Sequence, residues 1–285
     1  MRSIAGHIDP ATIAAQIRME RQVHRGCFLL VEGSTDAKRI DKFVDENACS
    51  LVNCYGKTNV VDAIALMRDV GLEDCLGMID ADFDRITGAI NQEDGIIVSA
   101  FHDFDLDNAL TEVIDRYLEE VADEAKVAAL GGARPCLWNL LSVLKPLSIL
   151  RYANELRGLR YDLTRLNLED FFDGRSVDIE RMIDAVSRGR FGTTHAKDRL
   201  RGEITQLMPL QFDLLLLTNG HDFMEALGIA LRDHLGKRKV PQTWRTEIEM
   251  HIRFGRSRED FATTEAYRGI RQWEAGSGAL RVLKC

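Results

Sequence analysis

The sequence predicts an α/β fold, a parallel β-sheet flanked by helices, followed by a mainly α-helical C-terminal region. Three observations lead there. Short apolar runs near 27–31, 51–55, 75–80 and 96–100 alternate with segments of helical period, the rhythm of a parallel sheet with right-handed crossovers. Two of these runs, Phe28-Leu29-Leu30-Val31-Glu32-Gly33 and Leu76-Gly77-Met78-Ile79-Asp80-Ala81-Asp82-Phe83-Asp84, are apolar stretches that stop at carboxylates, as strands buried on both faces do at their open ends. Past Ala125 the short runs give way to longer segments of helical period.

Taken in order, residues 11–24 form an expected amphipathic helix, with Ile13 and Ile17 four apart. The strand at 27–31 leads to a helix over about 35–46, with Ser34 as its N-cap. Leu51 to Tyr55 is the second strand, and Gly56-Lys57-Thr58-Asn59 turns into a helix through about Arg68. Strand three spans 75–80 and strand four 96–100; a helix then starts near Asp105 to Asp107, whose acids suit the positive end of a helix dipole. The breaker cluster Gly131-Gly132-Ala133-Arg134-Pro135 marks a boundary. Helical segments follow at about 136–157, 178–189, 195–208, 221–235, 242–253 and 264–274, while Phe212 to Leu217 fits a strand or a helix. The expected domains are an N-terminal helix (1–25), an α/β catalytic domain (26–124) and a mainly helical C-terminal domain (125–285).

At 285 residues, 45% apolar and 29% charged, the composition is that of a globular protein with a real core. No apolar run approaches a membrane span, and the first 25 residues lack the apolar region of a secretory signal, so a cytoplasmic protein is expected. The six cysteines have no zinc-type spacing and read as reduced core thiols. Charge is uneven: residues 26–124 hold 7 Lys and Arg against 23 Asp and Glu, whereas residues 232–285 hold 12 against 7. An acidic catalytic half with a basic tail suits a metal site working on a polyanion. Lys237, Arg238 and Lys239 are the densest cations available for that polyanion.

Ligands of open α/β sheets sit beyond the carboxyl ends of the strands. Carboxylates gathered there repel one another, and a cation relieves the repulsion. A hard divalent ion such as Mg²⁺, with Mn²⁺ as its substitute, prefers oxygen ligands and keeps several waters. Glu32, Asp80 and Asp82 are the candidate set; alternation puts Ala81 on the opposite side, so both aspartates can face one ion. Asp36 falls in the first turn of a helix, where the dipole alone accounts for it. Lys57, in a strand-to-helix turn, can reach phosphate from a helix N-terminus, although the segment is not a P-loop. The sequence thus points to a metal-dependent enzyme acting on phosphate.

Val31-Glu32-Gly33-x-x-Asp36, followed by a strand ending Ile79-Asp80-Ala81-Asp82, resembles the Toprim domain shared by topoisomerases, bacterial primases and OLD-family nucleases. The resemblance covers roughly residues 26–124 and implies Glu32 as general acid/base or metal ligand, with Asp80 and Asp82 on Mg²⁺. Asp105-Leu106-Asp107-Asn108-Ala109-Leu110 resembles a downstream Asp-Leu-Glu-Asn motif in a group of Toprim-like proteins related to OLD nucleases and to the AriB subunit of PARIS anti-phage systems. It implies Asp107 as a further metal ligand, with Asp standing where Glu is usual. Gly220-His221-Asp222-Phe223, Thr263-Thr264-Glu265-Ala266-Tyr267 and Trp273 resemble later elements of that group. The likeness implies a Mg²⁺-dependent nuclease cutting RNA (tRNA included) or DNA. It would be the toxic effector of an abortive anti-phage system, held by an ABC-type ATPase partner, with homo-oligomers open. Two rival readings stand beside it: a haloacid-dehalogenase-like phosphatase with Asp80 as nucleophile and Asp82 as acid/base, and a regulatory partner of an ATPase without turnover. The first leaves Glu32 idle and needs its motif on the opening strand, not the third.

Overall fold

In the computed structural model residues 8–164, 166–188, 194–237 and 244–285 are described. The protein is α/β. Its elements run α1 (Pro10–Glu20), β1 (Cys27–Val31), α2 (Ser34–Ile40), β2 (Cys49–Asn53), α3 (Lys57–Asp69), β3 (Cys75–Ile79), α4 (Asp84–Thr87), β4 (Ile96–Val98), α5 (Phe104–Ala109) and α6 (Glu112–Val121). After these come α7 (Glu124–Ala129), α8 (Ala133–Leu156), α9 (Ile179–Ser187), α10 (Thr194–Leu207), α11 (Leu214–Leu217), α12 (Gly220–Ala230), α13 (Arg245–Gly255), α14 (Arg258–Ala262) and α15 (Glu265–Gly276). Two compact units result. The first holds the residues up to Asp84 with Ala89–Ala100 and Ser257–Cys285; the second holds Arg85–Gly88 and Phe101–Arg256. The division differs from the one expected near residue 125. The Gly131–Pro135 cluster is the turn from α7 into α8 inside the second unit, and the last helices pack with the sheet.

The first unit is built on a four-stranded parallel sheet of order β2-β1-β3-β4. Every residue of β1 and β3 is buried, which is why both read as unbroken apolar runs. Phe28 and Leu30 pack with Ile13 and Ile17 of α1 and with Val60, Ile64 and Met67 of α3. Each such side chain, fully buried, is worth roughly 1.5–3 kcal/mol. Gly77 lets α3 lie close to β3: a Cβ there would meet Ile96 Cδ1 at 2.8 Å and Val60 Cγ1 at 2.9 Å. The C-terminal segment belongs to the same unit. Phe43 stacks on Phe261 of α14 with centroids 4.5 Å apart, α15 packs on β4, and Val44 bridges Leu283.

Strand order positions the site. From β1 the chain crosses to β2 on one side, while the next strand, β3, lies on the other side of β1. The carboxyl ends of β1 and β3 therefore form a topological switch point, where the connections diverge and leave a crevice. Several local expectations shift. Gly33, not Ser34, holds the N-cap position of α2, in extended backbone and with no side-chain cap. That helix ends at Ile40, with a 3₁₀ turn at Asp41–Phe43, because Val44 must turn extended to meet Leu283. Strand β2 lies two residues earlier than expected: Cys49 pairs with Cys27, and Tyr55 turns out at φ 59°, its N–H donating to Asn53 Oδ1.

In the second unit α8 forms the core, burying Leu137, Leu141, Leu144 and Leu147, with α6, α7, α10, α11 and α12 against it. Phe212 to Leu217 resolves as the single turn α11, capped by Asp213, whose carboxylate accepts the Leu215 N–H. No helix among the described residues is long and apolar enough to cross a membrane.

Candidate catalytic carboxylates

Glu32 is the first residue beyond β1 and Asp80 the first beyond β3, so the two strands deliver them side by side at the switch point. The backbone N–H of Asp80 donates to Glu32 Oε1 at 2.7 Å. Burial pushes the Glu32 carboxyl up to about 7; the Asp80 N–H opposes this, the charges of Asp82 and Asp36 add to it, and Lys57 offsets part. Ala81 is fully buried and its N–H donates to Ser99 Oγ at 2.8 Å. Ser99 thereby pins the turn that carries the aspartates. The sequence signal for it was a polar residue closing an apolar strand, the same signal that marks Glu32.

Asp82 sits at φ 49°, a left-handed conformation that Asp tolerates better than most residues. Its carboxylate accepts from Lys57 Nζ at 2.9 Å, and Asp84 accepts from the same ammonium at 2.7 Å. Lys57 is the first residue of α3. Burial disfavours its charge, but the Asp84 and Asp82 hydrogen bonds and charges outweigh that and hold its pKa above the ordinary value. Asp80 thus meets Glu32 through its backbone, and Asp82 joins Asp84 around an internal cation. Asp36 is ion-paired to Arg39 within α2.

The remaining candidates lie in the second unit. Asp107 is buried in α5, and its Oδ1 accepts the Phe101 N–H at 2.8 Å. Asp103 caps α5 through the Leu106 N–H at 2.9 Å and also accepts the Gly220 N–H at 2.6 Å, tying the start of α5 to the start of α12. The two motifs singled out by resemblance therefore meet, at a joint between helices. Burial, with the Asp105 charge, raises the Asp103 pKa. Asp222 pairs with Arg151 through both its oxygens. Lys237 Nζ donates to the carbonyls of Glu119 and Glu120, near the end of α6, at 2.8 and 3.0 Å. Arg238 and Lys239 lie outside the described residues. Arg256 is buried against Asn108, and Arg258, in the first unit, donates to the carbonyls of Lys284 and Cys285. The basic tail is distributed over both units, with several of its cations bonded internally.

His221 Nδ1 lies 2.9 Å from Glu249 Oε1 and 3.6 Å from Asp105 Oδ2. The Glu249 hydrogen bond raises its pKa to about 9 against the cost of burial, with Asp105 and Asp103 helping. A raised histidine contributes stability that is full below its ordinary value of 6.5 and fades until the pH passes about 9. His221→Gln should therefore lower Tm at pH 6 and match wild type above pH 9 to 10, as a thermal-melt series reads directly; a deficit equal at both ends would mean the imidazolium contributes nothing.

Fold and site together define a class: an α/β protein carrying acidic side chains at the switch point of a parallel sheet. Against models of known protein families and against curated proteins, the sequence matches none.

Proposed function

We propose that this protein is a metal-dependent phosphodiester hydrolase, a nuclease, with Glu32, Asp80 and Asp82 as its catalytic centre. One observation carries the reading: Glu32 and Asp80 adjoin at the switch point, with the Asp80 N–H 2.7 Å from Glu32 Oε1. The donor set is all carboxylate, the chemistry that suits Mg²⁺ or Mn²⁺. Among the described residues no three His, Cys, Asp or Glu side chains converge on one point, since Lys57 draws Asp82 to Asp84. Glu32, Asp80 and Asp82 would hold the ion, Asp82 exchanging Lys57 for it. When bound, it would neutralise charge on the phosphate and on the leaving oxygen.

Glu32, titrating at about 7, can take a proton or give one at its carboxylate near neutral pH, as a general acid/base must. Lys57, where α3 begins, balances the aspartates in the metal-free protein and is the residue we assign to a substrate phosphate. Asp107, in the second unit with its Oδ1 accepting the Phe101 N–H, is the further ligand that the resemblance implies. The Toprim resemblance supports the same centre. Through the motifs at Asp105 and Gly220 it also supports a cytoplasmic defence effector restrained by an ABC-type ATPase.

The test is cleavage of mixed RNA, tRNA and DNA by the purified chain, with and without any ABC-type ATPase encoded beside it. Cleavage should require Mg²⁺ or Mn²⁺ and stop with EDTA. Hydrolysis of p-nitrophenyl phosphate without cleavage of any nucleic acid would replace this reading with the phosphatase.

A further inference from the structure

A partly open cleft of about 470 Å³ in the second unit lies among residues with no part in the carboxylate centre. Its size is that of small-molecule sites, which run from about 300 to 1,000 Å³. One wall is a single face of α8, where Cys136, Asn139, Leu140 and Val143 follow at i, i+3, i+4 and i+7. Leu130 and Ala230 extend the apolar lining from the ends of α7 and α12. Burial raises the Cys136 thiol, so it stays neutral and counts as apolar surface.

Two further features shape the lining. Leu231–Leu235 winds as a π-helix, a turn that occurs frequently at functional sites, and it carries His234 and Leu235 into the lining. Gly174, at φ 87°, passes so close that a Cβ would fall 2.7 Å from His234 Cδ2 and 3.3 Å from Ala230 Cα. Asp173 spends its carboxylate on the N–H groups of Arg175 and Ser176, at 2.9 and 2.8 Å, which closes the loop; its carbonyl lies 2.6 Å from His234 Nε2.

The charged groups of the lining are all of one sign. Arg175 and Lys126 line the cleft, and among the described residues no Asp or Glu does. The Arg175 guanidinium has no acidic partner among the described residues, and Lys126 Nζ reaches the carbonyl of Gly236 at 3.3 Å. A mostly apolar cleft with a planar two-pronged donor beside it matches an apolar body ending in one carboxylate. We propose that this cleft binds a small monocarboxylate with an aliphatic or aromatic body, its carboxylate held by Arg175 and Lys126.

Calorimetric titration of the full chain with decanoate, phenylpropionate, decanol and inorganic phosphate tests this. At least one of the two acids should bind in the micromolar range and inorganic phosphate far more weakly. Arg175→Gln should weaken the acid about tenfold, the effect of losing a hydrogen bond to a charged group, and leave decanol unchanged. Val143→Phe, which puts a larger side chain into the cleft, should weaken binding of acid and alcohol alike. Absence of binding by both acids, equal acid affinity in wild type and Arg175→Gln, or phosphate binding as tight as the acids would each overturn the proposal. Should Val143→Phe fail to fold, Arg175→Gln, on an exposed loop, decides alone through the ratio of acid to alcohol affinity.

Discussion

Asp80→Ala is expected to cut metal-dependent cleavage by about 10²–10³-fold or more, the scale of losing one group that stabilises charge in the transition state. The fold should survive. The contact Asp80 makes with Glu32 is through its backbone N–H, which alanine keeps, so Glu32 stays where it is. With that contact kept, the metal-free variant should melt close to wild type. Wild type should gain Tm when Mg²⁺ is added, and the variant should gain little or nothing. Wild-type cleavage by the variant at saturating Mg²⁺ would remove Asp80 from the centre.

Glu32→Gln should lose about 10²–10⁴-fold in rate if Glu32 moves the proton. It also has a signature that needs no substrate. Folding raises the Glu32 pKa from 4.5 to about 7, so the native state disfavours its charge. Its contribution to stability is full below 4.5 and is lost as the pH rises through about 7. Glutamine carries no charge, and its carbonyl can still accept the Asp80 N–H. In metal-free buffer the variant should equal wild type near pH 4.5 and melt higher at pH 8, by roughly 1–3 kcal/mol or a few degrees. A Tm difference that does not change with pH would show that Glu32 is not held in an unfavourable ionised state.

The parallel sheet was legible because burial on both faces writes itself as continuous apolar sequence: Cys27–Val31 was read with its observed bounds, and Cys75–Ile79 to within one residue. β2 was harder, since three of its five residues are only half-buried and Cys54-Tyr55 looked like its continuation. Glu32 and Asp80 stood out as acids at the ends of dry strands. What sequence could not convey was the partner of each carboxylate. Lys57 and Asp84 are far apart along the chain, and only the crossover through α3 brings them together. The unit boundaries were hidden for a similar reason. Ser257–Cys285 resembles the other helical segments in period, and nothing local records that Phe261 belongs against Phe43.

The split composition of the sheet-bearing unit has a consequence for synthesis. Its strands are made early, yet Phe261, Val282 and Leu283, all buried within it, are made only after the helical unit. The helical unit, nearly continuous from Phe101 to Arg256, can fold as it leaves the ribosome. The core beneath the sheet, from Ile13 to Val98, is available early, whereas the contacts of Phe261 with Phe43 and of Leu283 with Val44 close only late. Glu32 and Asp80 thus stand on a unit that is completed only once Ser257–Cys285 has been made, and a chain cut short before residue 257 would carry them on an incomplete scaffold.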